Sequence, residues 1–340
     1  MGGKRLAGRH RGVTLAEVAR LADVSEITVS RVLRNAGPAA ETTRQRVLHA
    51  VRESGYVPNR LAGGLASSGS KLVGVIVPSL TNIVFPEVLG GIRSALLGTG
   101  FQAVIGVSDY DLAIEEELVA SLLAWRPEAM VLAGFEHTDV ARAMLDKSGV
   151  RIAELMDIDS PPIDLAVGHS HWQAGHDSGR YLLDRGYRRF GYVGHDWIAD
   201  RRAKLRYDGL VAALADSERT LVDSRRNSGP SSTQAGRETL ANLLAANADL
   251  DVVVFSNDDM AVGGVFHCLA AGIRPKDELA LFGFNGLDIG QALPTPLSTM
   301  RSNRFLIGKT AIERLLAQRE RPDGTEIIDT GYQILPGATA

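Results

Sequence analysis

Cysteine is nearly missing from this chain: Cys268 is the only one in 340 residues. That excludes a disulfide framework and any metal site built on several thiolates. Cys268 itself reads as a small buried hydrophobe. Long apolar runs are also lacking, since none approaches the roughly 18–20 residues of a transmembrane helix. The N-terminus, MGGKRLAGRHRG, is basic but has no apolar stretch of the kind a secretory signal needs. Leu6 stands where N-myristoylation wants Ser or Thr. A cytoplasmic protein is expected. Signatures of catalysis are scarce as well. GFNGLDIG does not have the G-x-G-x-x-G spacing, and no P-loop occurs. His169, His171, His176 and His195 are not at paired metal-ligand spacings, and the tempting GHSHWQAGH falls at an expected crossover and helix start. No catalytic residue, cofactor or metal is expected.

What the chain does have is lopsided charge. Residues 1–70 hold eleven Lys and Arg against five acids, a surplus of +6, within a chain of net charge −3. The remaining 270 residues therefore carry −9. A small basic head on a larger acidic body points to a nucleic-acid module joined to something else. The length leaves room for two or three domains with a substantial core.

The head reads as three short helices. Thr14, with Glu17 three residues on, forms a capping box for the first, whose apolar face is Leu15, Val18, Ala19 and Ala22. Ser25 caps the second, which buries Val29, Val32 and Leu33. Glu41 or Thr42 opens the third, which buries Val47, Leu48 and Val51. The second helix is odd, because Ile27, Thr28 and Val29 form a β-branched run that leans toward strand. A helix, a tight turn and a helix that starts polar and ends apolar make a helix-turn-helix, whose second helix enters the DNA major groove. The odd composition then follows from what Glu26, Ile27, Ser30 and Arg31 would touch.

The order of residues in VTLAEVARLADVSEITVSRVLRN and TRQRVLHAVRESGYVPNRLAGGLAS resembles the head of the LacI/GalR family of bacterial repressors. The resemblance runs through essentially the whole chain. It implies phosphate or groove-margin contacts at Thr14, Leu15, Ser25, Thr28, Ser30, Arg44 and Asn59. Glu26 and Ile27 match the base-reading positions, and Arg31 matches a base and phosphate contact. Arg takes guanine bidentately, Glu accepts from cytosine N4, and Ile packs on a thymine methyl. Tyr56 and Ala62 complete the DNA-facing set, and Leu65 matches the hinge-helix leucine that wedges into the minor groove. Gly63 and Gly64 weaken that hinge helix by roughly 2 kcal/mol, so it is expected to be disordered without DNA.

From Lys71 onward strand and helix alternate, in two α/β halves. The resemblance implies the two-subdomain, periplasmic-binding-protein-like fold, with doubly wound parallel sheets. The expected domains are a disordered basic arm at 1–12, the helix-turn-helix at 13–57 and a hinge with linker at 58–70. An effector-binding and dimerisation domain follows at 71–340, its first half about 71–170 and 302–330, its second about 171–300 and 331–340. Ligands of parallel sheets sit beyond the carboxyl ends of the strands. The candidates there are Ser79, Asn82, Phe85, Asp109, Tyr110, Glu154, Asp157, Arg202, Arg206, Asn257, Asp258 and Asn285. Their mix of donors and acceptors suits hydroxyls. The resemblance implies a ligand-clamping role for Arg206, sugar contacts for Asp157 and Asn257, and aromatic packing on the ligand for Phe85.

Many members of the family carry a ligand-stacking aromatic near residues 228–236; its absence here argues against a purine and mildly against a pyranose. PSLTNIVFPEVLGGI, ELMD, PPIDLAVG, NDDMAVGG and GFNGLDIGQAL look like the gluconate-operon repressor branch. An open-chain sugar acid fits, its carboxylate pairing with Arg202 or Arg206. The implied function is a regulator, by default a repressor, that leaves a pseudo-palindromic operator when a small sugar or sugar acid binds. The same fold answering a different sugar or a phosphoprotein corepressor is the alternative; a sugar-binding protein or enzyme without a DNA role fits the basic head poorly. The chain ends at LPGATA without a heptad tail, so a homodimer rather than a tetramer is expected.

Overall fold

The computed structural model describes residues 12–33, 38–57, 70–198 and 200–340. It divides into two compact units, residues 1–70 and 71–340. Nearly all of the expected basic arm and hinge, including Asn59, Ala62 and Leu65, lies outside the described residues.

In the first unit α1 (Leu15–Leu21) begins at the expected capping box. Thr14 Oγ1 accepts from the Glu17 amide at 3.3 Å, and the Thr14 amide donates to the Glu17 carboxylate at 2.7 Å. The chain turns at Asp23, whose φ of +53° is left-handed, a conformation Asp tolerates better than most residues. Ser25 then accepts from the Thr28 amide at 3.2 Å and starts α2 (Glu26–Leu33). The third helix, α3 (Glu41–Ser54), ends at Gly55 with φ +67°. Val18, Ala22, Val29, Val32, Val47 and Ala50 close the core. One expectation fails: Leu48 is 37% exposed, because the buried stripe of α3 runs through Val47 and Ala50 and leaves Leu48 one residue off it.

The second unit holds two sheets. The first contains β1 (Leu72–Val77), β2 (Gln102–Val107), β3 (Ala129–Ala133), β4 (Arg151–Asp157) and β5 (Leu165–His169) in the order β2-β1-β3-β4-β5, with β11 (Glu326–Asp329) outside β5. All pairings are parallel. The strands are near-continuous apolar runs because helices cover both faces, among them α4 (Val84–Leu96), α5 (Leu112–Ala124) and α6 (Asp139–Lys147).

The second sheet repeats the plan. Its strands β6 (Phe190–Gly194), β7 (Asp223–Arg226), β8 (Val252–Phe255), β9 (Ala280–Phe284) and β10 (Ser298–Ser302) run β7-β6-β8-β9-β10. It is closed by β12 (Tyr332–Leu335), antiparallel to β10. Its helices are α7 (His171–Asp184), α8 (Arg201–Ala215), α9 (Thr233–Ala246), α10 (Asp258–Ala271) and the short α11 (Asp288–Gln291). The chain passes between lobes after His169, after Ser302 and between Asp329 and Tyr332. The last long helix, α12 (Arg304–Ala317), returns to the first lobe and packs on α4.

One close approach positions the site. A Cβ on Gly175 of α7 would stand 1.9 Å from the Arg206 carbonyl, and one on Gly209 of α8 would stand 2.0 Å from that of Trp172. Glycine at both places lets α7 and α8 touch backbone to backbone. Among the described residues no helix is long and apolar enough to cross a membrane.

Candidate functional site

Two surfaces carry chemistry. On the first unit, α2 buries Val29 and Val32 and turns Glu26, Ile27 and Arg31 outward, with Ser30 and Thr28 half-buried beside them. Ile27 is 71% exposed, which leaves its side chain available to a partner surface. Thr14 and Ser25 are exposed, and Leu15 and Arg44 half-buried. Tyr56 instead packs partly buried against the three-helix core.

In the second unit the strand order reverses beside β1 in one lobe and beside β6 in the other, where parallel sheets leave a crevice. A cavity of about 480 Å³ lies at the carboxyl ends of both sheets. Ser79, Asn82, Tyr110, Arg202, Arg206, Asn257 and Asn285 line it, all expected from the sequence. Ser79 accepts from the Thr81 and Asn82 amides at 3.1 Å, and Asn82 donates to the Tyr110 hydroxyl at 2.9 Å. Arg206 is buried, with Nη2 donating to the Ser256 carbonyl at 3.0 Å and to Asn257 Oδ1 at 3.1 Å. Its Nη1 lies 3.0 Å from His171 Nδ1. Burial pulls the guanidinium pKa of Arg206 below its ordinary value, and nearby Asp200 pulls it back.

Five expected residues do not reach the cavity. Phe85 is fully buried in the core of the first lobe, with the Arg202 guanidinium 5.9 Å from its ring. Asp109 is exposed, with a left-handed φ of +51°. Glu154 is buried, accepting from the Ile163 amide and lying 3.3 Å from His137 Nε2. Asp258 accepts from Thr299 at 2.6 Å and from the Leu287 amide at 2.7 Å, bracing the start of α10. Burial pushes its pKa up to about 6. Asp157 accepts from the Asp159 amide at 2.8 Å and pairs with Arg201 at 3.5 Å; burial raises it to about 6. These acids satisfy backbone amides and neighbouring side chains, a use that position after a strand does not reveal.

The cavity adds residues the sequence reading passed over. Asp200 and Asp259 line it, as do Ser231, Phe284 and three histidines, His169, His171 and His195. Asp200 accepts from the Ala203 amide at 3.2 Å and lies 3.3 Å from His195 Nε2 and 3.6 Å from Arg202 Nε. Burial pushes its carboxyl up, but the His195 hydrogen bond and the charges of Arg202 and Arg206 hold it well below the carboxylate range. Asp259 accepts from the Ser231 hydroxyl and the Met260 amide. Both acids are thus committed, whereas Arg202 Nη1 and Arg206 Nε have no hydrogen-bond partner among the described residues.

Two further arginines tie the lobes. Arg201 at the start of α8 reaches Glu136 and Asp157, each at 3.5 Å, and Ser160 at 3.0 Å. Arg304 donates to Glu87 at 2.7 Å and to the Asn285 carbonyl. Among the described residues no group of three or more His, Cys, Asp or Glu is arranged to hold a metal ion.

Comparison with known proteins adds a third line of observation. Residues 14–59 match the family model of bacterial regulatory proteins of the lacI family. Residues 70–333 match that of periplasmic binding proteins and the sugar binding domain of the LacI family. The HTH-type transcriptional regulator GntR of Pseudomonas aeruginosa is 38% identical over 330 residues, covering 95% of this chain and 94% of that one. Its namesake in Escherichia coli K12 is 33% identical over 96% of this chain and 98% of the relative. The crystal structure of a LacI-family transcriptional regulator from Silicibacter pomeroyi, 42% identical, superposes with a TM-score of 0.90 over 96% of this chain and 99% of that one.

Proposed function

The chain belongs to the LacI family of bacterial regulatory proteins, and on that premise we propose that an open-chain sugar acid of the gluconate type releases it from its operator. It is a DNA-binding transcriptional regulator of the HTH type. The observation that carries the effector reading is the imbalance of charge along the cavity wall: its carboxylates are spent on internal donors, whereas Arg202 and Arg206, both lining it, each keep a buried N–H without a partner among the described residues. A carboxylate is the complement of such an edge, and an amine is not. Ser231, Asn82, Asn257 and Asn285 supply donors and acceptors for a hydroxylated chain.

The working form is a homodimer in the cytoplasm, its two heads on the half-sites of a pseudo-palindromic operator. Glu26, Ile27 and Arg31 read bases, while Thr14, Leu15, Ser25, Thr28, Ser30, Arg44 and Tyr56 hold or brace the head on the backbone. Exposed Ile105, Leu112 and Ile114 on the first lobe support pairing there. Effector draws the lobes together and favours the form with low affinity for DNA. A shift from 1:99 to 99:1 requires about 5.5 kcal/mol of preferential binding.

A hydrolase is the enzyme reading the geometry invites. Ser256 Oγ lies 2.9 Å from His195 Nδ1, and His195 Nε2 lies 3.3 Å from Asp200. Ser256 does not line the effector cavity, so its hydroxyl does not meet a substrate there. We read the three as a brace that presents Asp200 to Arg202.

The test joins melting temperature to operator binding by fluorescence anisotropy, with D-gluconate, D-glucose and a purine base. D-gluconate is expected to raise the melting temperature and weaken operator binding. At a hundred times Kd the stabilisation is about 2.7 kcal/mol. Release by D-glucose or the purine, with none by D-gluconate, overturns the sugar-acid reading.

A further inference from the structure

The first crossover between lobes runs through His169, Ser170 and His171, and the two imidazoles stand 4.4 Å apart, both lining the cavity. Their bonding differs sharply. His171 Nε2 lies 2.9 Å from the Met156 carbonyl, which accepts its N–H, and Nδ1 accepts from Arg206 at 3.0 Å. That ring is saturated, neutral and structural, joining a left-handed residue of the first lobe, Met156 with φ +80°, to an arginine of the second. His169 is equally buried, at 0% exposure, yet neither of its ring nitrogens has a hydrogen-bond partner among the described residues.

We propose that His169 is a specificity-determining residue of the effector cavity, its neutral imidazole reading a hydroxyl of the bound polyhydroxy ligand. Packing alone does not account for a histidine here. The ring stacks on Phe284 at 6.1 Å and meets Tyr332 edge-on at 5.7 Å, a nest in which phenylalanine would fit without burying two unsatisfied nitrogens. Burial, with the charges of Arg206, Arg202 and Arg304, lowers the imidazole pKa to about 3. The ring is therefore neutral, with one donor and one acceptor, which is the complement of a hydroxyl. A site that hydrogen-bonds a substrate hydroxyl rejects analogues that misplace it, because its own buried group is then left unpaired. The arginine edges take the charged end and His169 takes part of the polyol chain. This assignment rests on the polyhydroxy sugar-acid reading above.

The experiment is calorimetric titration of the full chain and of the H169F and H169Q variants with D-gluconate and its epimer D-galactonate, and in parallel with D-glucose and D-galactose. H169F is expected to weaken the preferred ligand about tenfold or more, the loss of one hydrogen bond in a desolvated site. It is also expected to bring the affinity ratio of the epimers toward one, whereas general damage would weaken both epimers alike. H169Q should regain part of the discrimination. The ligand-free melting temperature of H169F should equal or exceed that of the parent. Unchanged affinity and ratio in H169F overturn the proposal; if H169F does not fold, the same result in H169L, a smaller apolar replacement, does so. Should the parent bind the aldose pair and refuse the aldonates, the sugar-acid reading falls while His169 is judged on the aldoses. Binding of none of the four overturns both.

Discussion

Arg206 is held on three sides by groups that keep its plane fixed: His171, the Ser256 carbonyl and Asn257. Only Nε is left without a partner among the described residues. Removing the side chain strands His171 Nδ1 and Asn257 Oδ1 and deletes a charge that ligand would meet. Arg206→Ala is therefore expected to weaken effector binding about thirtyfold or more, given that truncating a buried charge partner costs about 2–5 kcal/mol. Operator binding without effector should persist, since the head folds around its own core. Anisotropy titrations with and without D-gluconate check both halves; a normal effector response would place the pocket elsewhere. The same scale shows where sequence reading stops. Arg206 and Glu154 both stand within strand–helix modules of similar pattern, but one faces a cavity and the other a backbone amide. Which of these a side chain meets depends on residues far off in sequence.

At the scale of the element, α2 explains its own composition. Val29 and Val32 anchor it, and its outward side carries an acid, an isoleucine and an arginine. The β-branched run is helical because tertiary contacts with α1 and α3 override a propensity cost of a few tenths of a kcal/mol per residue. Glu26 is exposed and would face a polyanion, so its value lies in discrimination rather than affinity. Glu26→Ala is expected to loosen operator preference, cutting the penalty for single-base changes by about 1–3 kcal/mol at the contacted position. Binding measured across a set of singly substituted operators tests this. Tighter binding with unchanged preference would make Glu26 an ordinary exposed acid in the first turn of a helix.

For the molecule as a whole, stability is tied to pH through His137, a buried imidazole far from any DNA-reading helix in sequence. Its Nδ1 lies 2.6 Å from Glu115 of α5 and its Nε2 3.3 Å from Glu154 of β4. Burial opposes the charge, but the two carboxylates win and raise the pKa from 6.5 to about 9. A folded-state pKa above the unfolded value means stabilisation that is complete below about 6.5 and lost as pH rises through about 9. The contribution is of the order of 3 kcal/mol. Denaturant midpoints should therefore fall between pH 6.5 and 9.5, and His137→Asn should be less stable at pH 6.5 and flatter across that window. A parental midpoint that does not move over this range would contradict the ion-pair account.

The amino-acid sequence by itself determined the elements and their order. Capping at Thr14 and Ser25, apolar runs such as LVGVIV and the basic head are local signals, readable within a helical turn or a strand. It also determined which chain segments end at a crevice, because parallel α/β units place their loops at strand carboxyl ends. Tertiary structure alone decided which polar residues in those segments are free. Asp157, Glu154 and Asp258 looked like ligand contacts and are consumed by backbone amides and by the side chains of Arg201, His137 and Thr299. The histidines looked like a failed metal site, and became one saturated brace and one unpartnered imidazole only once β4, α8 and β9 were set around them. The reason is physical: hydrogen-bond satisfaction inside a core depends on partners that folding brings from elsewhere in the chain.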